Sequence, residues 1–439
     1  MEFGRPNESL MNRILAALLL GLLSSYAVAR TAPQTIDEAL KQAQAEHLPV
    51  FADFQAQWCY SCYFMSTHVL TGPQWQAMEK RMVVVEVDAD SPDGARWMKQ
   101  LNVKALPMYV VLKPDGSELG RVVAEQPRDK FYAQMQKILS GGDALDALKK
   151  KADSGSPAAI ADVLASFEAR NQVQEGLAWY DALPEQRRGD DANVSMWHER
   201  LLMEKAAKAE DNAACVASGQ KVLAANVGCD RYYVLEQVLD CSEKMPADQR
   251  KSLLSAQRPA MQTLLDKQAF VQPAQCADQR TAVLVSADLD KALDDSAGEK
   301  AVLDRGIEDA RKRLGSDLGK DRNLADNLRV FLDRAGRIDE LDALMPKLIA
   351  AYPDDYVYSY RYGASLLKRN KPAEALPYLE RAAEKSFGAN RLTVASLRAK
   401  ALIALNRRND AEKVVADALE ANGPWFPEQA ERLKAVLKS

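Results

Sequence analysis

The chain has 439 residues, with 58 Lys and Arg against 62 Asp and Glu, for a formal net charge of −4. That balance excludes a nucleic-acid surface and provides no polybasic run for a membrane. The length fits two to three domains, the six Cys of the mature part point to disulfides, and the scattered His47, His68 and His198 argue against a His-based metal centre.

Met11 to Ala29 carry the basic Arg13, an apolar stretch from Ile14 to Leu23 and the small-x-small tripeptide Ala27-Val28-Ala29. This is the layout of an export signal. The expectation is a signal peptide over residues 1–29, with Met11 as a candidate start and cleavage after Ala29. An uncleaved anchor is the alternative. No later stretch is apolar enough for a membrane span, which takes about 20 residues.

The next segment alternates strand and helix signals. Thr35 to Glu46 predicts an amphipathic helix with Thr35 as its N-cap. Pro49 to Phe54 predicts a buried strand, and Cys62 to Leu70 a helix after it. Met82 to Val87 is β-branched and predicts a second strand. Ser91 to Leu101 predicts a helix. Pro107 to Lys113 and Glu118 to Val123 predict a hairpin around Pro114-Asp115-Gly116. Pro127 to Leu139 predicts a last helix, ended by Gly141-Gly142. This order predicts an α/β sandwich over residues 30–142.

From Ala144 onward helical spacing dominates, with breaks at Pro184, Pro246, Pro273, Pro353 and Pro424. Leu341, Ala375 and Ala411 sit at equivalent places, 34 and 36 residues apart. Each is followed by apolar residues four and seven positions on. Gly363 and Ala399 lie twelve before Ala375 and Ala411. These offsets resemble the tetratricopeptide pattern, in which small residues let two antiparallel helices pack closely. The expectation is tetratricopeptide-like repeats over residues 321–439 and a helical region with weak repeats over residues 143–320. No register can be set between Asp191 and Leu318, where an irregular bundle is the alternative.

The sharpest chemical signal is Asp53-Phe54-Gln55-Ala56-Gln57-Trp58-Cys59-Tyr60-Ser61-Cys62. Two thiols separated by two residues at a helix start can close a small disulfide. The helix N-terminus favours a thiolate on the first of them. Cys59 then attacks a partner disulfide, and Cys62 resolves the mixed disulfide. A Cys-x-x-Cys pair can also be half of a zinc site, but no second Cys or His pair stands nearby.

The segment resembles the active-site strand and turn of the thioredoxin superfamily. It is most similar to secreted domains related to the C-terminal domain of the bacterial transmembrane thiol-disulfide interchange protein. The resemblance covers about Thr35 to Leu139. It implies Cys59 as nucleophile, Cys62 as resolving Cys, Asp53 as the buried acid that deprotonates it, Trp58 as an aromatic shield and Pro107 as a cis-proline facing the disulfide. It also implies a periplasmic oxidoreductase without a cofactor or metal, a disulfide-bearing client protein, and a membrane thiol-disulfide donor. The dipeptide Tyr60-Ser61 carries no positive charge, Tyr63 stands where many relatives have Lys, and Leu106 precedes the proline where Thr or Val is usual. Strong oxidants of the superfamily often place His between the cysteines. The uncharged dipeptide therefore favours a reductase or isomerase. Tyr60 and Ser61 read otherwise as turn fillers, and His68 as a surface or packing residue.

Cys215, Cys229, Cys241 and Cys276 lack the close pairs that zinc sites use. Two structural disulfides are expected. If Asn212 to Ala225 and Asp230 to Lys244 form an antiparallel helix pair, Cys215 faces Cys241, which leaves Cys229 for Cys276. The helical array is expected to bind the client or the electron donor. Two alternatives remain: a redox-silent assembly adaptor, and metal delivery through Cys59 and Cys62 with Met65 or Met108 in reach.

Overall fold

The computed structural model describes residues 32–188 and 191–438. The expected signal peptide lies outside the described residues. Helix α1 (Ile36–Glu46) begins where the Thr35 hydroxyl accepts the Glu38 N–H at 3.2 Å. The Glu38 carboxylate takes the Gln34 N–H at 2.8 Å, a reciprocal cap that fixes the helix start. Strand β1 (Val50–Gln55) leads to α2 (Tyr60–Phe64), which runs on through a π-helical turn, Met65–Val69. Next comes α3 (Gly72–Glu79), a helix outside the sequence expectation, because its Gly-Pro opening reads as a break. Strand β2 (Val83–Asp88) follows, and then α4 (Pro92–Gln100), capped by the Ser91 hydroxyl on the Gly94 N–H at 2.9 Å. Strands β3 (Met108–Leu112) and β4 (Glu118–Val123) form the hairpin, and α5 (Arg128–Leu139) ends the α/β part.

The sheet order is β2-β1-β3-β4, with β1 and β2 parallel and the other neighbours antiparallel. Side chains of a strand alternate between its faces. Val50, Ala52 and Phe54 therefore pack on one side, with Ile36, Ala39 and Ala43 of α1 and Trp97 of α4. Phe51 points the other way, against Met65, Tyr109, Phe131 and Met135. Helices thus cover both faces of the sheet. Asp53 shares the Phe51 face, which is the side that α2 covers.

From Leu145 onward the described residues form helices and no strand. Neighbouring helices pack in pairs: Val357–Lys368 on Pro372–Lys385, and Gly388–Ala404 on Arg408–Asn422. Gly363 shows why the repeat needs small residues. A Cβ there would stand 2.6 Å from Leu379 of the paired helix, so a side chain would push the helices apart. Leu341, Ala375 and Ala411 are all buried. The stretch without a sequence register folds in the same style, with Ala192–Lys208 on Asn212–Ala224 and Gln279–Ala292 on Ser296–Leu314. The structure bonds Cys215 to Cys241 and Cys229 to Cys276, at sequence separations of 26 and 47. Such cross-links stabilise chiefly by restricting the unfolded chain. No helix among the described residues is long and apolar enough to cross a membrane.

Candidate active site at the Cys59-Cys62 turn

Strand β1, an interior strand, delivers the chain at its C-terminal end to a tight turn, and Cys59 becomes the N-cap of α2. Its Sγ accepts the Cys62 N–H at 3.1 Å. Cys59 and Cys62 are joined in a disulfide. Free N–H groups and the positive end of the helix surround Cys59 Sγ, which is where a thiolate is favoured when the bond opens. Ala56 packs with the two cysteines, and Ala89 and Leu106 lie against this cluster. The Leu106-Pro107 peptide is cis, in the loop just before β3.

Asp53 lies on β1 beneath α2. The residue as a whole is only partly buried, but its Oδ1 is fully buried and has no hydrogen-bond partner. Burial, and then the charge of Glu86, push its carboxyl up to about 8. Glu86 stands directly opposite it in the β1–β2 register. A carboxyl with that value can give or take a proton near neutral pH. Trp58 is not a core residue: it is 41% exposed, and its indole N–H donates to Asp90 Oδ2 at 2.8 Å.

The helical array reaches this turn, a contact that no spacing along the chain foretells. The Tyr60 ring lies under the Arg280 guanidinium, 3.5 Å from Cζ to the ring centroid. The Tyr60 hydroxyl is 3.2 Å from the Thr281 hydroxyl and 3.4 Å from Asp278 Oδ2. Asn323 donates to the Tyr60 carbonyl at 3.0 Å, and Arg361 to the Trp58 carbonyl at 2.8 Å. Arg322 lies over the Tyr63 ring at 4.0 Å. His68, on the π turn, pairs with Asp321 at 3.1 Å. The hydrogen bond to Asp321 raises the His68 pKa, against the opposing effect of burial. On the far side, the Ala389 N–H donates to the Asp90 carbonyl at 3.0 Å. Tyr60 is therefore more than a turn filler, and His68 joins the two parts of the chain.

Two further groups escaped the sequence reading. Asp326 is fully buried and holds Arg280, Arg329 and Arg361 together. Burial pushes its carboxyl up, but the three guanidiniums outweigh that and hold it well below the usual range. Glu125, just after β4, is buried with neither carboxylate oxygen hydrogen-bonded. Burial, reinforced by Asp278, raises its pKa well above the usual carboxylate range, and only the nearby Ser61 hydroxyl and Arg280 oppose this. A signal for the first existed in the sequence. Asn323, Asp326 and Asn327 fall at helical spacing beside Leu324, Leu328 and Phe331, so polar groups share a face with core residues.

A four-stranded mixed sheet flanked by helices, with a disulfide-bonded Cys-x-x-Cys at a helix start and a cis-proline just before β3, defines a thioredoxin-like domain. Residues 31–114 match the family model described as thioredoxin-like, and an all-helical array follows that domain. The thiol:disulfide interchange protein DsbD of Ralstonia nicotianae is 29% identical over 112 residues, 25% of this chain and 18% of the relative. The DsbD of Pseudomonas fluorescens is 33% identical over 88 residues, 20% of this chain and 15% of the relative. The chloroplastic thioredoxin-like protein HCF164 of Oryza sativa is 26% identical over 151 residues, 31% of this chain and 54% of the relative. The chain thus spans less than a fifth of the DsbD relatives and about half of HCF164. Among solved structures, a thioredoxin from Thermus thermophilus is 30% identical with a TM-score of 0.24, over 25% of this chain and 87% of that one. A tetratricopeptide repeat protein from Parabacteroides merdae is 13% identical with a TM-score of 0.35, over 62% of this chain and 96% of that one.

Proposed function

We propose that this chain is an exported thiol-disulfide oxidoreductase of the periplasm that reduces or isomerises protein disulfides. The observation that carries this reading is the Cys59–Cys62 disulfide at the start of α2, with the buried carboxyl of Asp53 beneath that helix. In the reduced protein the Cys59 thiolate attacks one sulfur of a client disulfide. A mixed disulfide forms and one client thiolate leaves. Asp53 takes the proton of Cys62, whose sulfur then attacks Cys59 Sγ and releases the second client thiolate. Two electrons pass to the client, and the Cys59–Cys62 bond closes again. Pro107 lines the approach to the disulfide, and Trp58 shields one side of the turn.

The export signal expected over residues 1–29 and the two array disulfides support an oxidising compartment. With no spanning helix among its described residues, the chain would draw electrons from a membrane thiol-disulfide donor. The thioredoxin-like part would occupy residues 30–142, followed by helical units over 143–320 and 321–439. A second reading, an assembly adaptor, draws on one observation: the array grips the redox turn on both sides of Cys59, which is only 4% exposed.

Trapping separates them. The Cys62→Ser variant, expressed in cells, is expected to accumulate adducts at Cys59 that migrate at higher mass without reductant and disappear with it. Absence of any adduct at Cys59, with the variant folded and exported, counts for the adaptor.

A further inference from the structure

The array surface made by Asp278, Arg280, Thr281, Asn323 and Arg361 has an occupant of its own. It is the turn Trp58 to Tyr63, and the Tyr60 side chain meets Asp278, Arg280 and Thr281. We infer that this surface is an internal docking site for the redox turn, and that it decides what reaches Cys59. This inference rests on the exchange reading given above.

Three observations carry it. First, the contacts fall on the residues around and between the cysteines. Two of them go to main-chain carbonyls, of Trp58 and Tyr60, so they read the shape of the turn as well as one side chain. Second, the groups that grip the turn are themselves held in place. Asp278 is buried, caps helix Gln279–Ala292 through the Thr281 N–H at 3.0 Å, and accepts the Tyr233 hydroxyl at 2.9 Å. Arg280 is fixed by Asn327 at 2.7 Å and by Asp326. A buried, partnered cation over an aromatic face is a stronger contact than an exposed one. Third, access to the two sulfurs is narrow. Cys59 and Cys62 are 4% and 5% exposed. A cavity of about 720 Å³, lined by Gln57, Tyr63, Ser66 and Arg322, touches Cys62. That volume suits a small molecule and is far too small for a folded protein.

The consequence is a size-selective gate. In the docked form a small dithiol enters the cavity and attacks the Cys62 sulfur of the disulfide, which releases the Cys59 thiolate. A protein dithiol must lay its own chain across the turn, where the array already sits, so it reacts only from the fraction of molecules in which the turn is free. A protein that takes the array surface in place of the turn opens the site.

The test uses the full-length oxidised protein and two reductants, dithiothreitol and a reduced bacterial thioredoxin. Each closes its own dithiol to a disulfide and delivers two electrons and two protons to Cys59 and Cys62. The readout is the ratio of the thioredoxin rate to the dithiothreitol rate, which cancels the intrinsic reactivity of the disulfide. In Arg280→Ala and Asn323→Ala this ratio is expected to rise, and in Tyr60→Ala it is expected to rise about tenfold or more. Tyr60→Ala leaves every array side chain in place, so it keeps the test intact if Arg280→Ala fails to fold. A ratio that stays at the wild-type value in the folded variants overturns the gate. A wild-type disulfide that neither reductant opens overturns the exchange reading instead.

Discussion

Replacing Asp53 by Asn is expected to slow disulfide exchange by about a hundredfold at neutral pH and, at the same time, to make the folded protein more stable. The rate loss follows from the role of the carboxyl as proton acceptor for Cys62, since general acid–base groups contribute about 10²–10⁴-fold. The stability gain follows from where the carboxyl sits. Burial, then Glu86, lift its pKa from 3.8 to about 8. Between those values the folded protein holds a proton that the unfolded chain has lost. Stability therefore falls as pH rises from about 4 to about 8, and above that range the folded state bears the full cost of a buried charge. Asn carries no charge. The variant should be more stable than wild type by on the order of 5 kcal/mol at pH 9, and the gain should fade as pH falls towards 4. The exchange rate of the wild type should climb with pH through about 8, and the variant should lose that part of the profile. Denaturant unfolding at pH 5 and pH 9, with the array disulfides intact, checks the first half. A pH–rate profile checks the second. A variant less stable than wild type at pH 9 would show that Asp53 is paired and charged in the folded protein.

The second large effect is expected at Asp326. This carboxylate is fully buried and is the shared partner of Arg280, Arg329 and Arg361. Removing one partner of a buried ion pair typically costs about 3–5 kcal/mol, because the remaining charge is left without compensation. Asp326→Ala strands three guanidiniums, so the upper part of that range is expected. The direction with pH is the reverse of that at Asp53. The folded pKa is depressed, so the stabilisation is present above the unfolded value of 3.8 and is lost only as pH falls below it. The deficit of the variant should therefore be constant from pH 5 to pH 8. Helix-detected unfolding by circular dichroism measures it. A deficit under about 1 kcal/mol, the scale of exposed pairs, would mean that solvent reaches the cluster.

The chemistry was legible in the sequence where it is local. A strand of six residues, a turn and a helix start place Cys59, Cys62 and Asp53, and every link is a short-range rule: strand alternation, N-capping, and a hairpin at Gly116. The caps at Thr35 and Ser91 follow from the same rules. The helical repeat was legible where small residues recur, at Gly363, Ala375 and Ala411. It failed between Asp191 and Leu318, where two disulfides cross-link the chain and Gly219 and Gly306, the glycines at close helix contacts, do not fall on the spacing of the later repeats. What stayed invisible is long-range. Tyr60 meets Asp278 and Thr281 from 218 and 221 residues away. No spacing rule reaches so far, and the uncharged dipeptide between the cysteines gave no hint that Arg280 would supply a charge from outside. The expectation of a weakly oxidising couple rests on the uncharged Tyr60-Ser61 alone, whereas in the fold the Arg280 guanidinium lies over the Tyr60 ring. The resemblance implies that Trp58 shields the turn but not that its indole N–H is tied to Asp90, 32 residues further on.

The central claim is that Cys59 and Cys62 exchange electrons with other disulfides. Its most direct measurement is reduction of a short disulfide-bonded peptide, small enough to enter the docked site, with dithiothreitol as the terminal reductant. The wild-type protein is expected to accelerate peptide reduction in proportion to its concentration, and Cys59→Ser is expected to return the rate to that of dithiothreitol alone. A wild-type rate no higher than the uncatalysed one, or a Cys59→Ser variant as fast as wild type, would contradict it.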